Sequence, residues 1–255
     1  QKDRASLKAE LEAAADACID QISSEASDYE KIKYVYEYLI NTVDYDANGV
    51  DTQNIQSALL YQKSVCAGYS KAFQYILHRM GLFCTYVTGT ITGGGDHGWN
   101  MVRIGDHYYY VDVTWGDPVF VNKIDGEGTD TVINYNYLCC TQTELFRTHV
   151  PSDAVELPEC TSDDYNYYKL NGFYYETFDY NTIYNALMNS VWNGESSIVM
   201  KFGSSEAYES AKYELFENGM LTDPGQYLME INGVTTWNYR YHTEEEFCLI
   251  TIYWK

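Results

Sequence analysis

The chain has 255 residues with 16 Lys and Arg against 37 Asp and Glu, a formal charge of −21, and 45% of its residues are hydrophobic. That length and apolar fraction suit one large domain or two modest ones with a packed core, and they argue against disorder over most of the chain. Charge of this sign repels phosphate backbones and anionic lipid heads, and no apolar run reaches the roughly 18 residues of a membrane-spanning helix, so nucleic acid and membrane insertion are not expected.

In chain order, the spacing of Leu7, Leu11, Ala14, Ala15, Cys18, Ile19 and Ile22 predicts an amphipathic helix over 5–22. A second helix starts at the cap candidates Ser27 and Asp28 and runs to about Thr42, followed by a polar loop over 44–51. A third spans 65–80, with Ser64 as expected N-cap and Gly81 as C-terminal stop. Residues 82–91 read as a strand, and 98–104 and 107–113 as a hairpin across a two-residue Gly105-Asp106 turn.

Turn formers, acids and two prolines gather between Pro151 and Asp164, which places a domain boundary there, dividing the chain into 1–155 and 156–255. Beyond it, Asn171-Gly172 predicts a hairpin between 165–170 and 173–178, followed by alternating helix-like and strand-like segments. The fold class expected for the whole is α+β.

Seven cysteines share no metal-type or redox-type short spacing, so most read as small buried hydrophobes. Cys66 differs, because a cysteine in the first turn of a helix sits where unsatisfied N–H groups and the helix dipole stabilise a thiolate. Such a nucleophile needs an imidazole, and the imidazole an acceptor that fixes its tautomer. A two-residue turn at 105–106 pairs positions whose numbers sum to 211, so Asp112 faces Trp99, and His97 lies two residues away on the same face, a diagonal neighbour of Asp112. His78, His107, His149 and His242 have no partner pattern, and no metal or other cofactor is expected. Asp125, Glu127 and Asp130 read as a solvated loop rather than a calcium site.

The segments 65–73, 97–102 and 110–118 resemble the transglutaminase-like cysteine-enzyme superfamily, especially its bacterial branch, and the resemblance extends over about 28–151. It implies a papain-like or transglutaminase-like core, with the cysteine helix on an antiparallel sheet, while the smaller α+β domain expected after it rests on the pattern of elements alone. By this resemblance Cys66 is the nucleophile, His97 the general base and acid, and Asp112 the group that orients the imidazole. Gly98 departs from the pattern, since relatives commonly carry alanine there.

For the oxyanion site the candidates are the Cys66 N–H with Gln62 or Tyr61, while Trp99 and Trp115 flank the site as walls or substrate contacts. The expected activity is thiol-dependent acyl transfer on a protein or peptide substrate, as a cysteine peptidase or amidase. The alternatives are a cross-linking transglutaminase and a non-catalytic surface binding module using the tyrosine-rich region. The resemblance and the composition point to an exported, extracellular or cell-surface bacterial protein.

Overall fold

A computed structural model describes residues 3–117 and 133–254, and two sequence expectations, the acidic loop at Asp125, Glu127 and Asp130 and the end of the third motif at Pro118, lie outside them. The chain forms two compact units, 1–167 and 168–255. The first unit extends past the expected boundary at 155 because residues 156–167 are anchored to it. Cys160 exchanges backbone and side-chain hydrogen bonds with Gln142, Ser162 accepts from the Tyr109 hydroxyl, and Tyr165 stacks on Tyr29 at 5.3 Å.

Unit one opens with helices α1 (Arg4–Ile19) and α2 (Asp28–Thr42). α2 starts where the sequence predicts, because Ser27 and Glu30 form a reciprocal capping box. The polar stretch after it contains β1 (Asp44–Tyr45), which pairs in parallel with β2 (Lys63–Ser64) across the short helix α3 (Ile55–Leu59). Helix α4 (Cys66–Arg79) then packs its face of Tyr69, Phe73, Ile76 and Leu77 into the core with Ile32, Val35 and Leu39 of α2. It ends at Gly81, whose φ of +76° a side chain rarely adopts.

The sheet runs β5-β4-β3-β6, from β3 (Cys84–Ile91), β4 (Asp96–Ile104), β5 (His107–Val111) and β6 (His149–Pro151), all antiparallel. The hairpin has the expected register, with Asn100 opposite Val111 and Ile104 opposite His107. After β5 the chain turns into the short helix α5 (Val113–Gly116). A second short helix, α6 (Gln142–Leu145), precedes β6.

Unit two follows helix α7 (Tyr167–Leu170) and carries the sheet β7-β8-β10-β9, made of β7 (Tyr174–Tyr175), β8 (Ser197–Phe202), β9 (Tyr239–Glu244) and β10 (Leu249–Trp254). Helices α8 (Tyr180–Trp192), α9 (Ser205–Phe216) and α10 (Thr222–Asn232) complete it, with Ile183, Leu187, Met200, Ala211, Ile250 and Ile252 in its core. The hairpin expected around Asn171-Gly172 is not formed. Residues 167–170 are helical, Gly172 at φ +76° breaks that turn, and β7 pairs in parallel with β8 instead. The glycine signal was real, but it marks a helix exit rather than a strand reversal. Both units are α+β.

Candidate active site

Cys66 is the first residue of α4. Ser64, the expected cap, is buried and engaged elsewhere: its hydroxyl donates to the Thr52 carbonyl at 2.8 Å and pairs with Ser57 Oγ at 2.7 Å. The N-cap position falls to Val65, so no side chain caps the helix. The first N–H groups of α4, those of Cys66 and Ala67, therefore have no side-chain cap, in the position that suits a thiolate or an oxyanion. Gly68 is required behind this turn, since an added Cβ would overlap the Ser64 hydroxyl and lie 2.8 Å from that of Ser57.

All seven cysteines are free thiols, and six are buried while Cys66 is partly exposed. Burial pushes the Cys18 and Cys160 thiols up to about 12. The seven thus separate by environment into one accessible side chain and six packed ones.

His97 and Asp112 are brought together as the hairpin parity requires, with His97 Nε2 2.6 Å from Asp112 Oδ2. The Cys66 side chain lines the same cavity as this imidazole and is close enough to act on it electrostatically. With Nε2 committed to the carboxylate, Nδ1 is the nitrogen left for sulfur. Asp112 lies just past the end of β5 and serves two ends at once: Oδ1 accepts from the backbone N–H of Thr114 at 2.9 Å and of Trp115 at 3.1 Å, capping α5, while Oδ2 faces the imidazole. An aspartate before Val-Thr-Trp can be read as a turn cap or as an imidazole acceptor, and here one carboxylate does both.

A fourth residue joins them, one that no local pattern singles out. His149, on β6, places Nε2 2.9 Å from the same Asp112 Oδ2 and pairs Nδ1 with the Thr148 hydroxyl at 2.8 Å. It is 37 residues from Asp112 and on a strand too short to show a period, so only the tertiary fold reveals it.

Asp112 is fully buried, which by itself opposes ionisation, but the imidazoles of His97 and His149 hold its carboxyl well below the usual carboxylate range. For His97, burial disfavours the charged form. The adjacent carboxylate outweighs that and, with the Cys66 thiol, raises the imidazole to about 10. Both shifts favour the same arrangement, an imidazolium against a carboxylate.

His97, Asp112 and His149 bring three potential metal-ligand atoms within 4.8 Å of one another. Their 2.6 and 2.9 Å separations are hydrogen-bond distances, and the remaining carboxylate oxygen already accepts two N–H groups. The donor set is thus committed to a hydrogen-bond network, with no carboxylate lone pair directed at an additional cation.

Cys66 and His97 open onto a cavity of about 860 Å³. Its walls come from Gln53, from Tyr86, Thr88, Gly89 and Thr90 on β3, from Asp96, and from Val150 to Asp153. Gln62 and Tyr61 are exposed and not among its lining residues; the upstream amide that does line it is Gln53. Trp99 is fully buried and stacked on His97 at 5.9 Å, and Trp115 meets the His97 ring edge-on at 6.3 Å. Both wall the imidazole from behind and neither lines the cavity.

Gly98 has a physical reason. A Cβ there would overlap the Tyr86 phenol, lying 2.6 and 2.7 Å from two of its ring carbons, so the glycine makes room for an aromatic wall beside Cys66. Gly98→Ala is expected to displace this ring at a cost of about 1–3 kcal/mol, read as a lowered urea midpoint. Gly98→Ala combined with Tyr86→Ala should recover more stability than Tyr86→Ala alone predicts, and simple additivity would show that the two do not compete for space.

Residues 16–113 match the family described as the Transglutaminase-like superfamily. Human Kyphoscoliosis peptidase is 26% identical over 156 residues, which is 54% of this chain and 23% of that protein. The mouse Kyphoscoliosis peptidase is 26% identical over 113 residues, 38% of this chain and 17% of that protein. The chain thus spans less than a quarter of the length of these curated relatives. A solved structure described as a TGase superposes with a TM-score of 0.38 at 18% identity, covering 45% of this chain and 34% of that one. The helix bearing Cys66 and most of the hairpin bearing His97 and Asp112 lie inside the matched segment, whereas His149 lies beyond it. Residues 16–113 are thus similar to the Transglutaminase-like superfamily, a match over well under half of the chain.

Proposed function

We propose that this chain is a thiol-dependent acyl-transfer enzyme, a cysteine peptidase or amidase acting on peptide or side-chain amides of a protein substrate. The observation that carries the reading is that the partly exposed Cys66 and His97 line one open cavity while the His97 imidazole is hydrogen-bonded to the buried Asp112 behind it. With its proton passed to His97, the Cys66 sulfur attacks the amide carbonyl carbon, and the oxyanion forms beside the uncapped N–H groups of α4, with Gln53 at the same cavity wall. The His97 proton then goes to the leaving nitrogen as the C–N bond breaks, leaving a thioester on Cys66. Water, activated by the now neutral imidazole, attacks the thioester and releases the acid. Asp112 keeps the imidazole in one orientation throughout.

A transamidating variant of the same chemistry has one observation in its favour. Asp96 and Asp153 both line the cavity, so a cationic amine acceptor is drawn toward the thioester. Hydrolysis and amine transfer share every step up to that intermediate.

The test is alkylation of the intact chain with iodoacetamide at pH 6, with each thiol mapped by mass spectrometry. Cys66 is expected to label at least about tenfold faster than any buried cysteine, and His97→Ala to remove that advantage. Uniform slow labelling of all seven thiols in both proteins would count against the reading.

A further inference from the structure

His149 takes no part in the steps above, yet it is 1% exposed and enclosed by Trp99 at 5.1 Å, Trp115 at 5.0 Å, His97 at 5.3 Å and Tyr137 at 5.9 Å. Ordinary packing does not need an imidazole there. Nor does Asp112 need His149 for its orientation, since two backbone N–H groups already hold Oδ1. What the ring adds is a second N–H on Oδ2, the oxygen that also accepts from His97. A donor on that oxygen takes up part of the carboxylate charge, and the charge left for His97 is smaller. In acyl transfer this matters at one step. An imidazolium held too firmly by its carboxylate is a poor acid toward the leaving nitrogen.

We propose that His149 is a positioning residue that acts through Asp112: by sharing Oδ2 with His97, it sets how tightly the imidazolium holds the proton destined for the leaving amine. The inference rests on the acyl-transfer reading. The proton passes from His97 to the nitrogen as the C–N bond breaks, and His149 neither gains nor loses one. Its Nε2 faces a carboxylate oxygen that only accepts and is therefore the donor there, while Nδ1 meets the Thr148 hydroxyl, which also reaches the Leu145 carbonyl at 3.3 Å.

Other titratable groups also surround the pair. These are Cys66 on α4, Tyr45 on β1, Tyr86 on β3, Asp96 beside His97, and Tyr137 and Cys140 before α6. Asp153, after β6, lines the cavity.

The experiment follows the ring carbons of His97 by NMR in intact, histidine-labelled protein, comparing the parent with His149→Phe and His149→Gln. The phenyl ring fills the same space without a donor, while the glutamine amide restores an N–H. With one unit as the expected shift, the deprotonated fraction of His97 at pH 10 should fall about fivefold in the Phe variant. It should return to near the parent value in the Gln variant. A merely structural role would lower the melting temperature of both without moving the titration. An unmoved His97 titration in a folded Phe variant overturns the proposal, as does a Gln variant that behaves like Phe. If the Phe variant does not fold, Thr148→Val decides by the same signal: it keeps the ring, frees Nδ1, and should shift His97 in the same direction. Iodoacetamide labelling of the parent at pH 6 separates the two readings. Absence of fast labelling at Cys66 removes the acyl-transfer reading itself, whereas fast labelling with an unmoved titration removes only the role of His149.

Discussion

Cys66→Ser is expected to lower turnover on an amide substrate by at least about 10³-fold while leaving the fold intact. Loss of a nucleophile from such a constellation costs on the order of 10³ to 10⁶, the remainder coming from binding and oxyanion stabilisation. Serine differs from cysteine by one atom, so the uncapped helix end, the His97 contact and the cavity all persist. What is lost is the sulfur nucleophile, because a hydroxyl in its place is a far weaker one at neutral pH. Release of free amine from a library of lysine-rich and glutamine-containing peptides, read with an amine-reactive fluorophore, measures the effect. Matching circular dichroism shows that the fold survives. Turnover within tenfold of the parent in the serine protein would mean that the chemistry lies elsewhere. Adding a primary amine to the parent reaction separates hydrolysis from transamidation by the product formed.

Asp112→Ala is the largest single loss of stability we expect. The carboxylate is fully buried and accepts from four donors, so its removal leaves two imidazoles and two backbone N–H groups without their acceptor. Breaking a buried pair of this kind costs about 3–5 kcal/mol, and in a unit of this size that lowers the melting temperature by on the order of 10 °C. The pH dependence has a definite sign. His97 binds its proton more tightly folded than unfolded, so its contribution is complete below its ordinary value of 6.5 and is lost as pH rises toward about 10. Asp112 is shifted downward from 3.8, so its contribution is present above that value and is lost in acid. Urea melts of the parent should therefore weaken between pH 6.5 and 10, and the slope over that interval should flatten in the alanine protein. An equal slope in both would show that the His97–Asp112 pair is not the group being titrated.

Much of the site was legible from local signals. The N-terminal turn of α4, the hairpin parity and the two-residue turn are short-range features, and they place Cys66, His97 and Asp112 near one another without any knowledge of the rest of the chain. Three things were not legible. Ser64 has the chemistry of a cap, but a tertiary bond to Thr52 and Ser57 takes it, and no local rule distinguishes the two uses. Gln53 reaches the cavity because β1 and β2 pair across the intervening loop, whereas proximity in sequence pointed to Gln62 and Tyr61. His149 depends on an edge strand of three residues, below the length at which alternation carries information. In unit two the Asn-Gly signal was read as a reversal of strands. The same left-handed glycine serves equally well to end a helix, and the neighbouring tyrosines did not discriminate.

The spacing of the donors on Asp112 also bears on the order in which the site assembles. His97 and Asp112 are 15 residues apart within one hairpin, while His149 is 37 residues from Asp112 and arrives on β6. Chain closure over the longer span costs about 0.8 kcal/mol more in entropy, and hairpins close on the microsecond scale without waiting for distant strands. The dyad is thus a local event, and docking of β6 a later one. A growing chain can therefore hold the imidazole against its carboxylate before the edge strand that shares the charge is in place.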